Sequence, residues 1–286
     1  INFPNLLSFL AVFCNIMLNF AFVFGFYFIP SMGATGLAIS TLIVRILLGA
    51  ILLFYCLNII NIKNNKWIEL SYLKQLIKVS FPISTGLVLE FLAFNVITVI
   101  LGKISGLYAA AQSIIITITS MTFMVPLAIS NVIGIKVGFA NGAKNYPDIR
   151  NFSFSGTSIT TLFMLSCAII LFFFPKEILS LMTTDATLLK ISVPIIKVAA
   201  VFQIFDGLQV SFGGILKGLK KTIFVTLAVL LGYWFCGVPL GIFLALKLKF
   251  YLLGFWYGIS VAICLICAFM GIILNFIFRK IKKQYL

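Results

Sequence analysis

Eight apolar stretches, each long enough to cross a lipid bilayer, leave this chain few ways to fold. They cover residues 6–29, 34–60, 81–101, 107–139, 152–175, 187–215, 222–246 and 254–278. A helix needs about 20 mostly apolar residues to cross the hydrocarbon core. Within that core every backbone N–H and C=O must be satisfied internally, so each stretch is expected to be helical. Several exceed the required length, which implies tilt or ends that project into water. Turn signals fall between them, at Pro30-Ser-Met-Gly, Asn141-Gly-Ala-Lys-Asn-Tyr-Pro and Lys217-Gly-Leu-Lys-Lys. The expected fold is an all-α membrane protein, a polytopic bundle of eight transmembrane helices.

Composition excludes most other classes. Residues are 62% hydrophobic and 9% charged, against about 25% charged in a soluble domain. The net charge of +15 does not point to nucleic acid, because the cations sit between apolar runs rather than on one basic face. The chain has no histidine, which removes the commonest general base and metal ligand. Cys264 and Cys267 form a C-x-x-C inside an apolar run, with no second pair, so no metal is expected. The connectors hold no nucleophile–base constellation, so an enzyme is not expected either. The start at Ile1, without a signal-peptide pattern, reads as a piece of a longer chain.

The longest connector, 61–80, carries Trp67, Leu70, Leu73, Leu76 and Ile77 at helical spacing among four lysines. That pattern predicts an amphipathic helix on the membrane surface. It separates an N-terminal part, 1–62, from a C-terminal six-helix part, 63–286, whose first segment is the connector at 63–80. Counting Lys and Arg on alternate sides gives fourteen against five, with Arg45 and Lys197 inside spans. The positive-inside rule then puts the C-terminus in the cytoplasm of a cell (inner) membrane protein.

Two carboxylates break the apolar pattern. Glu90 and Asp206 lie in the middle of spans. An ionisable residue at the bilayer centre costs roughly 2.5–3.5 kcal/mol on insertion scales and is a functional site by default. Gln203 and Gln209 flank Asp206 at three residues on either side, making one polar stripe. Asn15 and Asn19 share a face at a spacing of four, and Gln112 is polar near the start of its span. Oxygen ligands without His or Cys suit Na⁺ or protons rather than transition metals. Lys197 precedes Asp206 by nine residues and points to the opposite face. Pro126, Pro194 and Pro239 interrupt spans as kinks or hinges.

Gly36 and Gly254 open the second and eighth spans in similar settings, 218 residues apart. Read as an internal repeat, this predicts twelve spans in two six-helix halves, with the first four absent from the chain and the N-terminal lobe incomplete.

The runs Phe81-Pro-Ile-Ser-Thr-Gly-Leu-Val-Leu-Glu90, Leu101-Gly-Lys-Ile-Ser-Gly-Leu-Tyr-Ala-Ala-Ala-Gln112 and Phe123-Met-Val-Pro126 resemble the multidrug and toxic compound extrusion (MATE) family. So do Val137-Gly-Phe-Ala-Asn-Gly142, Phe202-Gln-Ile-Phe-Asp206-Gly-Leu-Gln209 and Gly214-Ile-Leu-Lys-Gly218. The resemblance covers helices five to twelve of twelve. It implies a secondary active antiporter that exports lipophilic or cationic compounds in exchange for sodium ions or protons, with no other cofactor. Its partners would be small-molecule substrates and the lipid bilayer, and the protein a monomer. In the family's NorM-like branch, Glu90 and Asp206 match cation-site acids and Phe123 an aromatic beside them. Asn15 and Asn19 match a polar pair serving the other lobe. Phe202 stands where relatives often carry Tyr, and Lys217 where they usually carry Arg. The alternative within the wider superfamily is a flippase for lipid-linked saccharides, which would need a cationic cavity; an inactive truncated form is the other alternative.

Topology is directly testable. A C-terminal green fluorescent protein fusion should fluoresce and a C-terminal alkaline phosphatase fusion should be inactive. An active phosphatase would reverse the assigned direction.

Overall fold

The computed structural model describes residues 2–26, 30–59 and 70–285. They divide into two compact units, Ile1–Leu70 and Ser71–Leu286. Among the described residues, eight helices are long and apolar enough to cross a membrane. The polytopic all-helical expectation therefore stands.

The first unit is a pair of helices, α1 (Asn2–Phe24) and α2 (Gly33–Ile59). Helix α1 stops before Gly25, whose φ of +82° suits glycine. The first apolar stretch thus ends its helix earlier than position 29, and residues 27–29 lie outside the described residues. Gly36 brings the two backbones together, since a methyl there would come within 2.5 Å of the Phe22 carbonyl oxygen.

The second unit starts with α3 (Leu70–Ile104) and α4 (Gly106–Gly142), followed by α5 (Tyr146–Phe173), a short α6 (Pro175–Ser180) and α7 (Ala186–Gly218). Next come α8 (Thr222–Val229), a π-helical stretch Leu230–Gly237, α9 (Val238–Ile242) and a second π-helical stretch Phe243–Lys247. These run on as one crossing segment, Thr222–Lys247. Helix α10 (Tyr251–Tyr285) completes the unit. Sequence reading did not anticipate α6, which Pro175 opens in the first-turn position that proline favours.

The connector differs in part from expectation. Positions 61–69, Trp67 included, lie outside the described residues. Residues 70–80 are not a separate surface helix but the first turns of α3, whose 35 residues span about 52 Å at the α-helical rise. No glycine occurs between Leu70 and Phe81, so nothing ends the helix there. Pro82 lies inside α3, and its carbonyl accepts the Thr226 hydroxyl at 2.5 Å, tying this turn to α8.

Helix starts follow local chemistry. Ser105, Asn145 and Asp185 cap α4, α5 and α7 with side-chain oxygens that accept N–H groups of the first turn. Packing follows small residues. Lipid removes the hydrophobic drive between helices, so close backbone contact matters more. Ser130, Gly134 and Gly138 of α4 face Gly214 and Gly218 of α7. A methyl on Gly214 would lie 2.5 Å from the Ser130 carbonyl oxygen, and one on Gly218 would lie 2.7 Å from that of Gly134. The Ser130 hydroxyl also donates to the Val210 carbonyl at 2.6 Å. On the other side, a methyl on Gly254 of α10 would lie 2.7 Å from the Ala245 nitrogen. Gly36 and Gly254 thus do the same work, each letting its helix touch the end of the preceding one.

Gly218→Val should therefore overpack the α4–α7 contact and destabilise the second unit by about 1–3 kcal/mol. Gly142→Ala, with no atom within 4 Å of the added methyl, should be near neutral. Thermal unfolding of the two purified variants against the parent protein checks this, and equal melting temperatures would refute it.

Candidate functional site

Because its glycine face is clamped against α4, α7 turns its polar stripe inward. Asp206 and Gln209 are 8% and 6% exposed, and Gln203 is 1% exposed. From α3, half-buried Glu90 reaches the same interior, where the Gln209 Nε2 donates to its Oε1 at 3.4 Å. The Tyr233 hydroxyl donates to the other end of that amide, Oε1 of Gln209, at 3.5 Å. Asp206 lies within electrostatic range of both Glu90 and Tyr233. The two mid-span acids therefore share one neighbourhood. Lys217, about three turns beyond Asp206 on α7, is also within electrostatic range of Glu90.

Glu90 and Asp206 differ in their surroundings. Glu90 is held by an amide donor, whereas Asp206 receives no hydrogen bond from any described residue. The Cys267 thiol, close to Asp206, spends its proton on the Phe205 carbonyl at 3.0 Å.

An aromatic row borders the acids. Tyr233 and Phe94 have ring centroids 6.0 Å apart, Phe94 and Phe202 6.3 Å, and Phe202 and Trp256 5.7 Å. Phe202 and Trp256 meet edge to face, the arrangement that aromatic quadrupoles favour. The row ends where Trp256 Nε1 donates to the Gln112 Oε1 at 2.8 Å. Gln112 is fully buried, and its Nε2 has no partner. Gln203 behaves similarly: its Nε2 donates to the Thr122 hydroxyl at 2.6 Å while its Oε1 is buried and unpaired. Phe123, next to Thr122, is half-buried, and among the described residues it pairs with no other ring.

The asparagines belong to the first unit. Asn19 Nδ2 donates to Asn15 Oδ1 at 3.0 Å, and the buried Ser40 hydroxyl donates to Asn19 Oδ1, linking α1 to α2. Arg45 is exposed. Lys197 sits with its Nζ 5.4 Å from the Phe172 ring centroid, on α5 and away from the acids, as its spacing from Asp206 predicts. Such a cation over an aromatic face is attracted by the ring quadrupole.

Sequence reading missed Tyr233, Phe94, Thr122 and Trp256. Phe94 was recoverable, because it lies four residues beyond Glu90 and shares its helical face. Tyr233 was not, because a π-helical stretch places it and no apolar periodicity reports that geometry.

A family model described as MatE matches residues 82–243, more than half of the chain. The chain belongs to the MatE family. It is 29% identical over 276 residues to a probable multidrug resistance protein NorM of Mesorhizobium japonicum, covering 93% of this chain and 59% of the relative. It is 30% identical over 288 residues to a protein of the same description from Haemophilus ducreyi, covering 97% and 61%. The chain thus spans about three fifths of the length of these MatE relatives. Solved structures share the fold. A eukaryotic MATE transporter superimposes with a TM-score of 0.82 at 20% identity, covering 99% of this chain and 65% of that one. A multidrug resistance MATE family transporter in an outward-facing conformation gives 0.87 at 15% identity, covering 97% and 62%. A Vibrio cholerae MATE transporter gives 0.85 at 18%, covering 97% and 62%.

Gln112→Leu should strand the buried Trp256 N–H and destabilise the protein by about 1–3 kcal/mol. Combined with Trp256→Phe, the loss should be smaller than the sum of the two single losses, because both remove one bond. Additive losses in thermal unfolding would mean that the bond contributes nothing.

Proposed function

We propose that this MatE protein works as a secondary active antiporter, exporting lipophilic or cationic compounds in exchange for Na⁺ or H⁺. The supporting observation is the meeting of Glu90 and Asp206 in one interior neighbourhood beside Gln209. Two buried acids with too few protein donors are suited to a visiting positive charge. Glu90 and Asp206 would hold the coupling cation, and Gln203, Gln209 and Gln112 would offer polar contacts to it or to substrate. Phe202, within the aromatic row, would accept the flat apolar parts of a substrate, and Phe123 would border the same space. Asn15 and Asn19 would serve the first unit. The protein acts as a monomer in the cell (inner) membrane, with its C-terminus in the cytoplasm.

The physics of coupling is simple. Cation and substrate must prefer different conformations, since a ligand shifts an equilibrium only by its differential affinity. A cation bound between the acids offsets part of their negative charge and favours the state that releases substrate. One charge moving inward gains about 2.3 kcal/mol per 100 mV. A tenfold ion gradient adds about 1.4 kcal/mol. A saccharide-lipid flippase would need several cations facing the cavity, whereas Lys197 is engaged by Phe172, Arg45 is exposed, and Lys217 alone of the three is within electrostatic range of Glu90.

Glu90→Gln and Asp206→Asn should each lower ion-driven ethidium efflux by at least tenfold in cells expressing the native-length protein. Efflux with unchanged ion dependence in both variants would refute the antiporter reading.

A further inference from the structure

Tyr233 is the one hydroxyl on the Thr222–Lys247 segment that reaches the acids, and no motif of the sequence singled it out. It is fully buried, stands on the π-helical stretch Leu230–Gly237, and touches Gln209 and Phe94. Its hydroxyl donates to Gln209 at 3.5 Å, its ring packs on Phe94 at 6.0 Å, and both Glu90 and Asp206 are in its electrostatic range.

The π-helical backbone explains how it gets there. Gly232 and Gly237 are five residues apart, and both face α10, where added methyl groups would strike Ile266 and Ala262. In an α-helix residues five apart diverge in direction. A π turn bonds i to i+5 and brings them back toward one face. With both glycines pinned against α10, Tyr233 beside them points toward α7 and α3. The Trp234 indole N–H donates to the Leu89 carbonyl at 3.0 Å, which fixes the same stretch to the turn that carries Glu90.

We infer that Tyr233 is a positioning residue that sets which end of the Gln209 amide faces Glu90. Resting on the reading of Glu90 as a cation ligand, the inference assigns Gln209 a second orientation. While Glu90 is bare, the Tyr233 hydroxyl donates to Gln209 Oε1, and Nε2 is left to donate to the carboxylate. When a hard cation arrives, its preferred ligand is the amide oxygen. The amide then turns over, Oε1 joins Glu90 around the cation, and Nε2 donates to the Tyr233 oxygen. A phenol can donate in one state and accept in the other. Phenylalanine at this position can do neither. The two present bonds, at 3.4 and 3.5 Å, are longer than well-formed hydrogen bonds and leave the amide room to turn. With Na⁺ no covalent bond changes; with H⁺ the incoming proton bonds a Glu90 oxygen, and that O–H donates to the Gln209 Oε1.

The test uses the native-length protein reconstituted in liposomes, with ethidium as substrate and Na⁺ and external pH varied in turn. Tyr233→Phe should raise the half-saturating concentration of the coupling cation (Na⁺ or H⁺) by about five- to tenfold, while the KM for ethidium stays within twofold. A purely structural role would instead lower the amount of folded protein or move both parameters together, and that result overturns the inference. So does wild-type cation dependence in Tyr233→Phe. Gln209→Leu removes the amide that Tyr233 orients and should weaken cation dependence at least as much, and adding Tyr233→Phe to it should change nothing further. Full cation dependence in Gln209→Leu overturns the inference however Tyr233→Phe behaves. Glu90→Gln, run in parallel, separates the two levels. If Glu90→Gln keeps wild-type cation dependence, Glu90 is not a cation ligand and the reading on which the inference rests fails. If only Glu90→Gln loses it, the positioning role alone fails.

Discussion

The backbone contact between α4 and α7 comes before everything else in the second unit. Ser130, Gly134 and Gly138 repeat at four-residue intervals and meet Gly214 and Gly218, where an added methyl group would come within 2.5 and 2.7 Å of α4 carbonyl oxygens. In lipid, where apolar surface gains little by leaving the solvent, such contact is a main source of helix association. It also sets the rotation of α7 about its axis. With the glycines turned toward α4, the stripe of Gln203, Asp206 and Gln209 turns into the unit's interior. On a lipid-facing side the same acid would carry the insertion cost of roughly 2.5–3.5 kcal/mol without any partner.

The interior that results is only partly satisfied. Buried polar groups in folded proteins nearly always find partners. Here Gln112 keeps an unpaired Nε2, Gln203 an unpaired Oε1, and Asp206 receives no hydrogen bond from a described residue. These three deficits fall on α4 and α7, the helices that the glycines hold together; the hydroxyls of Thr157 on α5 and of Ser192 and Ser211 on α7 are also buried without a partner. Gln112 also anchors one end of the aromatic row, through Trp256 and then Phe202. Between helices, Thr226 answers the Pro82 carbonyl, Trp234 that of Leu89, and Ser130 that of Val210. The contrast separates a rigid frame from a polar stripe that still has donors and acceptors to offer.

The frame explains why a π-helical stretch persists in Thr222–Lys247. That segment has two neighbours to satisfy. Its glycines press on α10, where added methyl groups at Gly232 and Gly237 would meet Ile266 and Ala262. Its side chains, meanwhile, tie α3 at Pro82 and Leu89. A regular α-helix cannot place residues five apart on one face, and the wider turn removes the conflict.

Helix number, membrane residence and the inward acids were legible in the sequence, because bilayer thickness sets span length and a buried carboxylate stands out against leucine and phenylalanine. Glu90, Asp206 and the flanking glutamines could be read from helical spacing alone. That spacing also put Lys197 on the far side of α7, where it meets Phe172. Which residues from other helices join them was decided only by tertiary structure. Tyr233, Thr122 and Trp256 reach their partners across 24 to 144 positions of chain. One-dimensional periodicity records how a helix divides its faces, and it carries no information about which neighbour each face will meet or where a backbone will widen into a π turn. That pairing comes from packing, glycine against backbone.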